Sequence, residues 1–259
     1  MRAITALRTS HSAISDFTLK MRDDRYTRQS LQITGKTHDA KVAIIGVGGV
    51  GSWIGQQLAL LGVDTMYLFD MDIVDIHNLN RSVFRESDVG KAKVSVFGAF
   101  CEELNPAVKV LSSNIKITSV RELPDDVDVV FSAVDNVETR LILQDWAKRT
   151  GKLVIDCGTS NSTTEGTVCE LMRNLTPTFR SLYGGDEWDE QLTYEKETPP
   201  CQRRPEPAIV TLTSAVATLA VHLFIQYRTT NHIYSGLFQF NWGKTPILSF
   251  FESKPDQWN

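Results

Sequence analysis

Cysteine is scarce and unpaired in this sequence. Cys101, Cys157, Cys169 and Cys201 are scattered through 259 residues without CxxC spacing, which argues against a disulfide framework and leaves no evident zinc site. They read as reduced, cytoplasmic thiols. No continuous apolar run approaches the ~18 residues that cross a bilayer. The first 25 residues are mixed and polar, without the continuous apolar stretch of a secretory signal. A basic surplus is missing as well. The 27 Lys and Arg against 31 Asp and Glu leave a net charge of −4, so nothing electrostatic announces nucleic acid. No internal repeat is found. What remains is an ordinary composition, 42% hydrophobic and 22% charged. It suits one large α/β domain, or one domain with an appendage, able to bury a core unaided.

The stretch that organises the chain is residues 41–81, KVAIIGVGGVGSWIGQQLALLGVDTMYLFDMDIVDIHNLNR. Residues 42–45 are apolar, β-branched and too few for a helix, which predicts a buried strand. Gly46, Gly48, Gly49 and Gly51 follow, then a pattern of helical period over 52–61. A second apolar run, 66–69, ends in Asp70. Strand, glycine turn, helix, strand and acid form the first half of a nucleotide-binding βαβ unit. A side chain at the turn would hold phosphates away from backbone N–H groups, which form an anion site together with the positive end of the helix dipole. Asp70, at the tip of the second strand, is placed to accept from ribose hydroxyls. A dinucleotide-dependent oxidoreductase would satisfy this much.

Residues 1–24 lack periodicity and predict a flexible extension or a short helix. Arg25-Tyr-Thr-Arg28-Gln29 is dense in groups that bind anions or carbonyls. Beyond Asp70, the polar run with Asp72, Asp75, Asn78 and Arg81 falls at the carboxyl end of a strand, where open α/β sheets bind ligands. Asn78 and Arg81 share a face if the segment turns helically, and a guanidinium there could fork onto phosphate. Lys91 and Lys93 fall in the first turn of an expected helix that Pro106 stops; cations oppose the dipole there, which hints at a ligand. Strands are expected over 108–111, 127–133, 153–157 and 167–171, and a helix over 137–148. Asp135 is either a cap of that helix or a carboxylate for Mg²⁺. Cys101, Cys157 and Cys169 read as core thiols. Residues 173–207, rich in proline and glycine, read as one long loop of functional length. It carries Cys201 beside Arg203 and Arg204, cations that would lower a thiol pKa. A long, nearly uncharged helix over 208–227, buried in the core or at a subunit interface, and a hairpin over 237–251 turning at Gly243-Lys244 complete the chain.

Taken in order, Arg25-Tyr-x-Arg28-Gln29, Gly46-x-Gly-Gly-x-Gly51, Asp70-x-Asp72, Asn78-x-x-Arg81, Val89-Gly90-x-x-Lys93 and Asp135-Asn136 resemble the ThiF/MoeB/ubiquitin-activating-enzyme (E1-like) adenylyltransferases, over roughly residues 25–251. The resemblance implies a Rossmann-like α/β fold: a mostly parallel sheet flanked by helices, with a C-terminal antiparallel extension and a crossover loop near 173–207. It sets the adenylation domain at 25–259 behind an extension at 1–24. It also implies ATP and Mg²⁺ as cofactors, and as substrate a small ubiquitin-like or sulfur-carrier protein ending in Gly-Gly. The carrier's carboxylate would attack the α-phosphate and release pyrophosphate. On that likeness Gly46, Gly48, Gly49 and Gly51 cradle the phosphates, Asp70 and Asp72 lie at the ribose side, and Asn78, Arg81 and Lys93 neutralise phosphate charge. Asp135 holds Mg²⁺. Arg28 reaches into the neighbouring subunit of a homodimer, and Cys201 takes the acyl group or joins sulfur transfer.

The paired CxxC motifs that many bacterial members use for zinc are absent, so no structural zinc is expected. Two rivals keep the fold and change the substrate. One is a branch that activates a carboxylate on modified tRNA, which Gly48-Gly-Val-Gly-Ser52-Trp53 resembles locally; the other is a peptide-modifying adenylyltransferase. A non-catalytic partner subunit is the remaining binding-module reading.

Overall fold

The computed structural model describes residues 25–29, 37–159, 164–198, 208–243, 245 and 247–254. The extension at 1–24, Cys201 with its two arginines, and Lys244 at the hairpin turn lie outside them. Along the chain the elements are β1 (Lys41–Ile45), α1 (Gly51–Leu61), β2 (Thr65–Phe69), α2 (Lys93–Leu104), β3 (Lys109–Ser113), β4 (Val129–Ser132), α3 (Val137–Thr150), β5 (Leu153–Thr159), β6 (Glu165–Leu171), α4 (Phe179–Leu182), α5 (Gly185–Glu197), α6 (Val210–Thr230), β7 (Gly236–Asn241) and β8 (Ile247–Glu252). One eight-stranded sheet runs β3-β2-β1-β4-β5-β6-β7-β8. Its first five strands are parallel and the last three antiparallel, as the resemblance implies.

Strands buried on both faces need apolar residues at every position, and Val129–Ser132 is buried throughout. One face of the sheet carries α1, α2 and α6 over Ile44, Leu68, Phe97, Phe131 and Phe224. The other carries α3, α4 and α5 over Ile45, Val130, Leu143 and Trp146. Cys101, Cys157 and Cys169 are buried free thiols, and burial pushes all three up in pKa, which makes them inert packing groups.

Three expectations need correction. The stretch 173–207 is not one long loop, because α4 and α5 occupy much of it. Trp188 stacks on Phe179 and Tyr183, so three aromatics spaced four or five apart supply the apolar face that proline and acid content concealed. Lys91 precedes α2, leaving Lys93 alone in its first turn. Finally, the chain does contain a helix of membrane length and character. The 21 residues of α6 include an 18-residue window of mean hydropathy 1.4, of which 44% is buried inside the protein. Threonine, serine, glutamine and histidine interrupt the run, so it has no continuous apolar letters although its average is high. Its apolar stripe, Leu212, Val216, Ala217, Ala220, Leu223 and Phe224, is buried, and each large aliphatic contributes about 1.5–3 kcal/mol on burial. The helix packs on α1, β5 and β6.

Candidate functional site

Sheet order puts β1 between β2 and β4, and their crossovers leave on opposite faces, so a crevice opens at the carboxyl ends of β1 and β4. The glycine turn lies in it. Gly46 has φ +88° and donates its N–H to Phe69 O at 2.8 Å. A Cβ there would stand 2.5 Å from the carbonyl oxygen of Ala133. A Cβ at Gly51 would be 1.9 Å from Gly46 O, so these two glycines let β1, β4 and the first turn of α1 close on each other. Gly48 differs, since a Cβ on it meets nothing within 4 Å. Among the described residues, the N–H groups of Gly48 and Gly49 have no acceptor. An open position flanked by free donors at a helix N-terminus fits a phosphate chain.

Acids and cations gather round this turn. Asp70 is half-buried at the tip of β2; its carboxylate accepts from Val47 N–H at 2.7 Å and Asp72 N–H at 2.8 Å. Burial raises its pKa against the opposing pull of Lys93 and those N–H groups. Lys93 Nζ lies 2.8 Å from Asp72 Oδ2, its side chain only 9% exposed. That pair explains how a lysine is tolerated in the first turn of α2. Arg81 lies over the glycines, with its Cγ 3.4 Å from where a Gly49 Cβ would be. Its backbone carbonyl accepts from Trp53 Nε1 at 3.0 Å and Thr213 Oγ1 at 3.3 Å, and its guanidinium bonds His77 O and Asn80. Asn78 is on a 3₁₀ turn, where Oδ1 accepts from Asp75 N–H at 3.0 Å. Its oxygen therefore holds the local turn.

On the other side of the crevice Asp135 is exposed two residues past Ala133. The cap of α3 is Asn136, which accepts from Thr139 N–H at 2.9 Å; Asp135 is not needed as a cap, and its exposed carboxylate meets only Asn136 Nδ2, at 3.5 Å on Oδ1, among the described residues. No three His, Cys, Asp or Glu side chains come together as a metal cage among the described residues. A lone exposed carboxylate fits Mg²⁺ held mainly by phosphates and water. Two groups beside Asp135 were not read from the sequence. Glu195 of α5 accepts from Val137 N–H at 2.7 Å, and Arg140 of α3 donates to Val134 O at 3.2 Å. The only local hint for Arg140 was a cation one turn into a helix that follows Asp-Asn.

Arg28 is not with them. Gln29 donates to Leu61 O at 3.0 Å and Arg25 to Leu104 O at 2.9 Å. Asn105 donates to the Tyr26 hydroxyl at 2.6 Å. Residues 25–29 thus pack at the carboxyl ends of α1 and α2, with Arg28 exposed. The glycines lie at the amino end of α1, which is 11 residues and so roughly 16 Å away. An arginine side chain does not cover that distance along the helix.

Strand order, the glycine turn at the switch point and the acid at the tip of β2 define a Rossmann-like nucleotide-binding protein. The sequence model of the ThiF family matches residues 26–257, and the chain belongs to that family. It is 28% identical over 199 residues to ubiquitin-like modifier-activating enzyme 5 of Oryza sativa subsp. japonica, covering 68% of this chain and 47% of that protein. It is 38% identical over 157 residues to the adenylyltransferase and sulfurtransferase uba4 of Emericella nidulans, covering 57% of this chain and 32% of that protein. The chain thus spans less than half the length of these curated relatives. Among solved structures, E. coli MccB with ATP superposes with a TM-score of 0.73 at 19% identity, over 88% of this chain and 71% of that one. PaaA does so with a TM-score of 0.73 at 24% identity, over 90% and 83%. At these identities the likeness bears on the fold.

Proposed function

We propose that this protein activates the C-terminal Gly-Gly carboxylate of a small ubiquitin-like or sulfur-carrier protein by adenylation with ATP. The observation that carries the reading is the open position at Gly48, where a Cβ would meet nothing within 4 Å, with Asp70, Lys93 and Arg81 on one side and Asp135 on the other. The names of its curated relatives support the substrate class. In the reaction a carboxylate oxygen of the carrier attacks the α-phosphorus, the bond to the bridging oxygen of the β-phosphate breaks, and pyrophosphate leaves. The protein's task is position and charge. The N–H groups of Gly48 and Gly49 meet the phosphates, and Asp70 accepts from the ribose. Lys93, released from or shared with Asp72, and Arg81 stabilise charge on the phosphates, with Asn78 beside them. Asp135 would hold Mg²⁺, which supplies charge neutralisation on the pyrophosphate being lost.

The distance of Arg28 from its own glycine turn supports a role in trans, in a homodimer whose two sites each borrow that arginine. Cys201, which lies outside the described residues, is proposed to receive the activated acyl group. The test is exchange of labelled pyrophosphate into ATP, adding Gly-Gly carrier proteins one at a time, with Asp135→Ala as control. Exchange that needs a carrier and vanishes in the variant is expected. Exchange driven only by tRNA or a short peptide would transfer the assignment to those substrates.

A further inference from the structure

We infer that Asp156, acting through Arg140, is a positioning residue that sets the turn carrying Asp135. The inference rests on the adenylation reading above.

Asp156 belongs to β5 and is 0% exposed, a carboxylate in the middle of the sheet, between Ile155 and Cys157 along its strand and in register with Ser132 on β4 and Cys169 on β6. Ser132 Oγ, across on β4, donates to its Oδ1 at 2.6 Å, and Arg140 Nε lies 3.6 Å from the same oxygen. Oδ2 has no partner among the described residues. A buried ion pair with one oxygen unsatisfied returns less than its desolvation costs, and an apolar pair of the same volume would commonly serve stability as well. Stability therefore does not account for the group.

Its geometry does. Arg140 is anchored at one end on Asp156. At the other end its Nη2 donates to Val134 O at 3.2 Å and lies 3.5 Å from Cys157 O. Gly158 leaves room for that crossing, because a Cβ there would stand 2.9 Å from Arg140 Nη2. The guanidinium thus ties the carboxyl ends of β4 and β5 together, and its bond to Val134 O is one peptide from Asp135. The following residues are fixed separately, by Asn136 on Thr139 N–H and by Glu195 on Val137 N–H. Without the Asp156–Arg140 tie, the amino-terminal half of the turn has no side-chain anchor from the sheet among the described residues. A carboxylate that must meet a hard cation beside phosphates needs such support, since metal carboxylates held by outer hydrogen bonds lose roughly 10–100-fold in affinity when those are removed.

The test compares wild type with Asp156→Asn, which keeps the Ser132 bond and discards the charge. Mn²⁺ binding is followed by electron paramagnetic resonance in the presence of a non-hydrolysable ATP analogue, and binding of the analogue without metal by calorimetry. The expected result is Mn²⁺ affinity reduced about tenfold with metal-free analogue affinity changed less than twofold. In an Asp135→Ala background the same substitution should change neither. A merely structural role would lower both affinities together. Arg140→Lys, which retains a cation but loses the reach to Val134, should reproduce the metal-selective loss and serves if Asp156→Asn does not fold. Wild-type Mn²⁺ affinity in a folded Asp156→Asn or Arg140→Lys protein, or equal losses with and without metal, would overturn the inference. A wild-type protein that binds no nucleotide at all would instead overturn the adenylation reading on which it rests.

Discussion

Gly46 and Gly48 look alike in the motif and should behave oppositely when each becomes alanine. At Gly46 the backbone has φ +88°, which costs an L-residue roughly 1–2 kcal/mol. The new methyl would also stand 2.5 Å from the Ala133 carbonyl oxygen; the backbone shift that relieves such an overlap costs about 1–3 kcal/mol. Together these give a loss of about 2–5 kcal/mol, or about 5–15 °C in Tm for a domain of this size. At Gly48 the backbone φ is not positive and the methyl meets nothing. Alanine there should leave Tm within about 2 °C or raise it slightly, because the unfolded chain loses freedom.

The nucleotide should see the reverse order of importance. The Gly48 methyl occupies the opening that phosphates need, and ATP affinity should fall at least about tenfold, equivalent to 1.4 kcal/mol. Thermal melts by circular dichroism and ATP titration by calorimetry on both variants suffice. A Gly48→Ala protein that binds ATP like wild type would refute the placement of phosphates at this turn. One that melts as early as Gly46→Ala would refute the claim that position 48 is free of packing duty.

Lys93→Met should lower pyrophosphate exchange by about 10²–10³-fold, the scale for losing a charge-stabilising donor, while Asp72→Asn costs less; equal losses would mean that the ion pair, and not the cation, matters. Mixing Arg28→Ala with Asp135→Ala subunits should restore about a quarter of wild-type exchange if the arginine acts in trans in a dimer, and a mixture no better than its parents would remove that role. Glu170 is buried on β6, accepting from Tyr234 N–H with one oxygen and leaving Oε1 without a partner among the described residues, and burial raises its pKa from 4.5 to about 7. The folded state thus keeps a proton that the unfolded chain releases, so stability falls as pH rises from about 4.5 to 7 and is level above that. Glu170→Gln removes this penalty of about 3 kcal/mol, so its Tm should exceed wild type at pH 8 by about 5–10 °C and match it near pH 4.5. A constant gap across that range would show that Glu170 does not titrate with folding.

The glycine turn, both strands beside it and Asp70 were legible because their meaning lies within thirty residues of one another. A β-branched run, glycines where side chains collide and an acid at a strand tip each state a local physical requirement. The mostly parallel sheet with its antiparallel extension came from the family resemblance, and the strand order itself was not read from the chain. The stretch 173–207 misled, because proline and acid content read as loop while Phe179, Tyr183 and Trp188 stack on one another. The helix expected over 208–227 was legible as a buried one, because its apolar stripe, interrupted in letters, is continuous on one face.

What sequence reasoning could not reach is the set of contacts that hold the candidate groups still. Lys93 was expected at the phosphates, but the partner that holds it, Asp72, lies 21 residues earlier. Asp156 finds Ser132 across 24 residues, and Glu195 finds Val137 across 58. None of these pairs has a periodicity or a spacing of its own; each exists only because the parallel sheet brings strand ends and following turns to one edge. The residue types that meet ligand are therefore readable from the chain. Their orientation depends on partners drawn from separate β–α units. Asp135 illustrates the difference: its side chain has no structural duty that would explain it, yet the peptides on both sides of it are held by Arg140, Asn136 and Glu195. A carboxylate that is exposed, with only a 3.5 Å contact from Asn136 Nδ2 on Oδ1, and fixed at its base is arranged for a ligand, because a surface acid with no such task would not need its turn held.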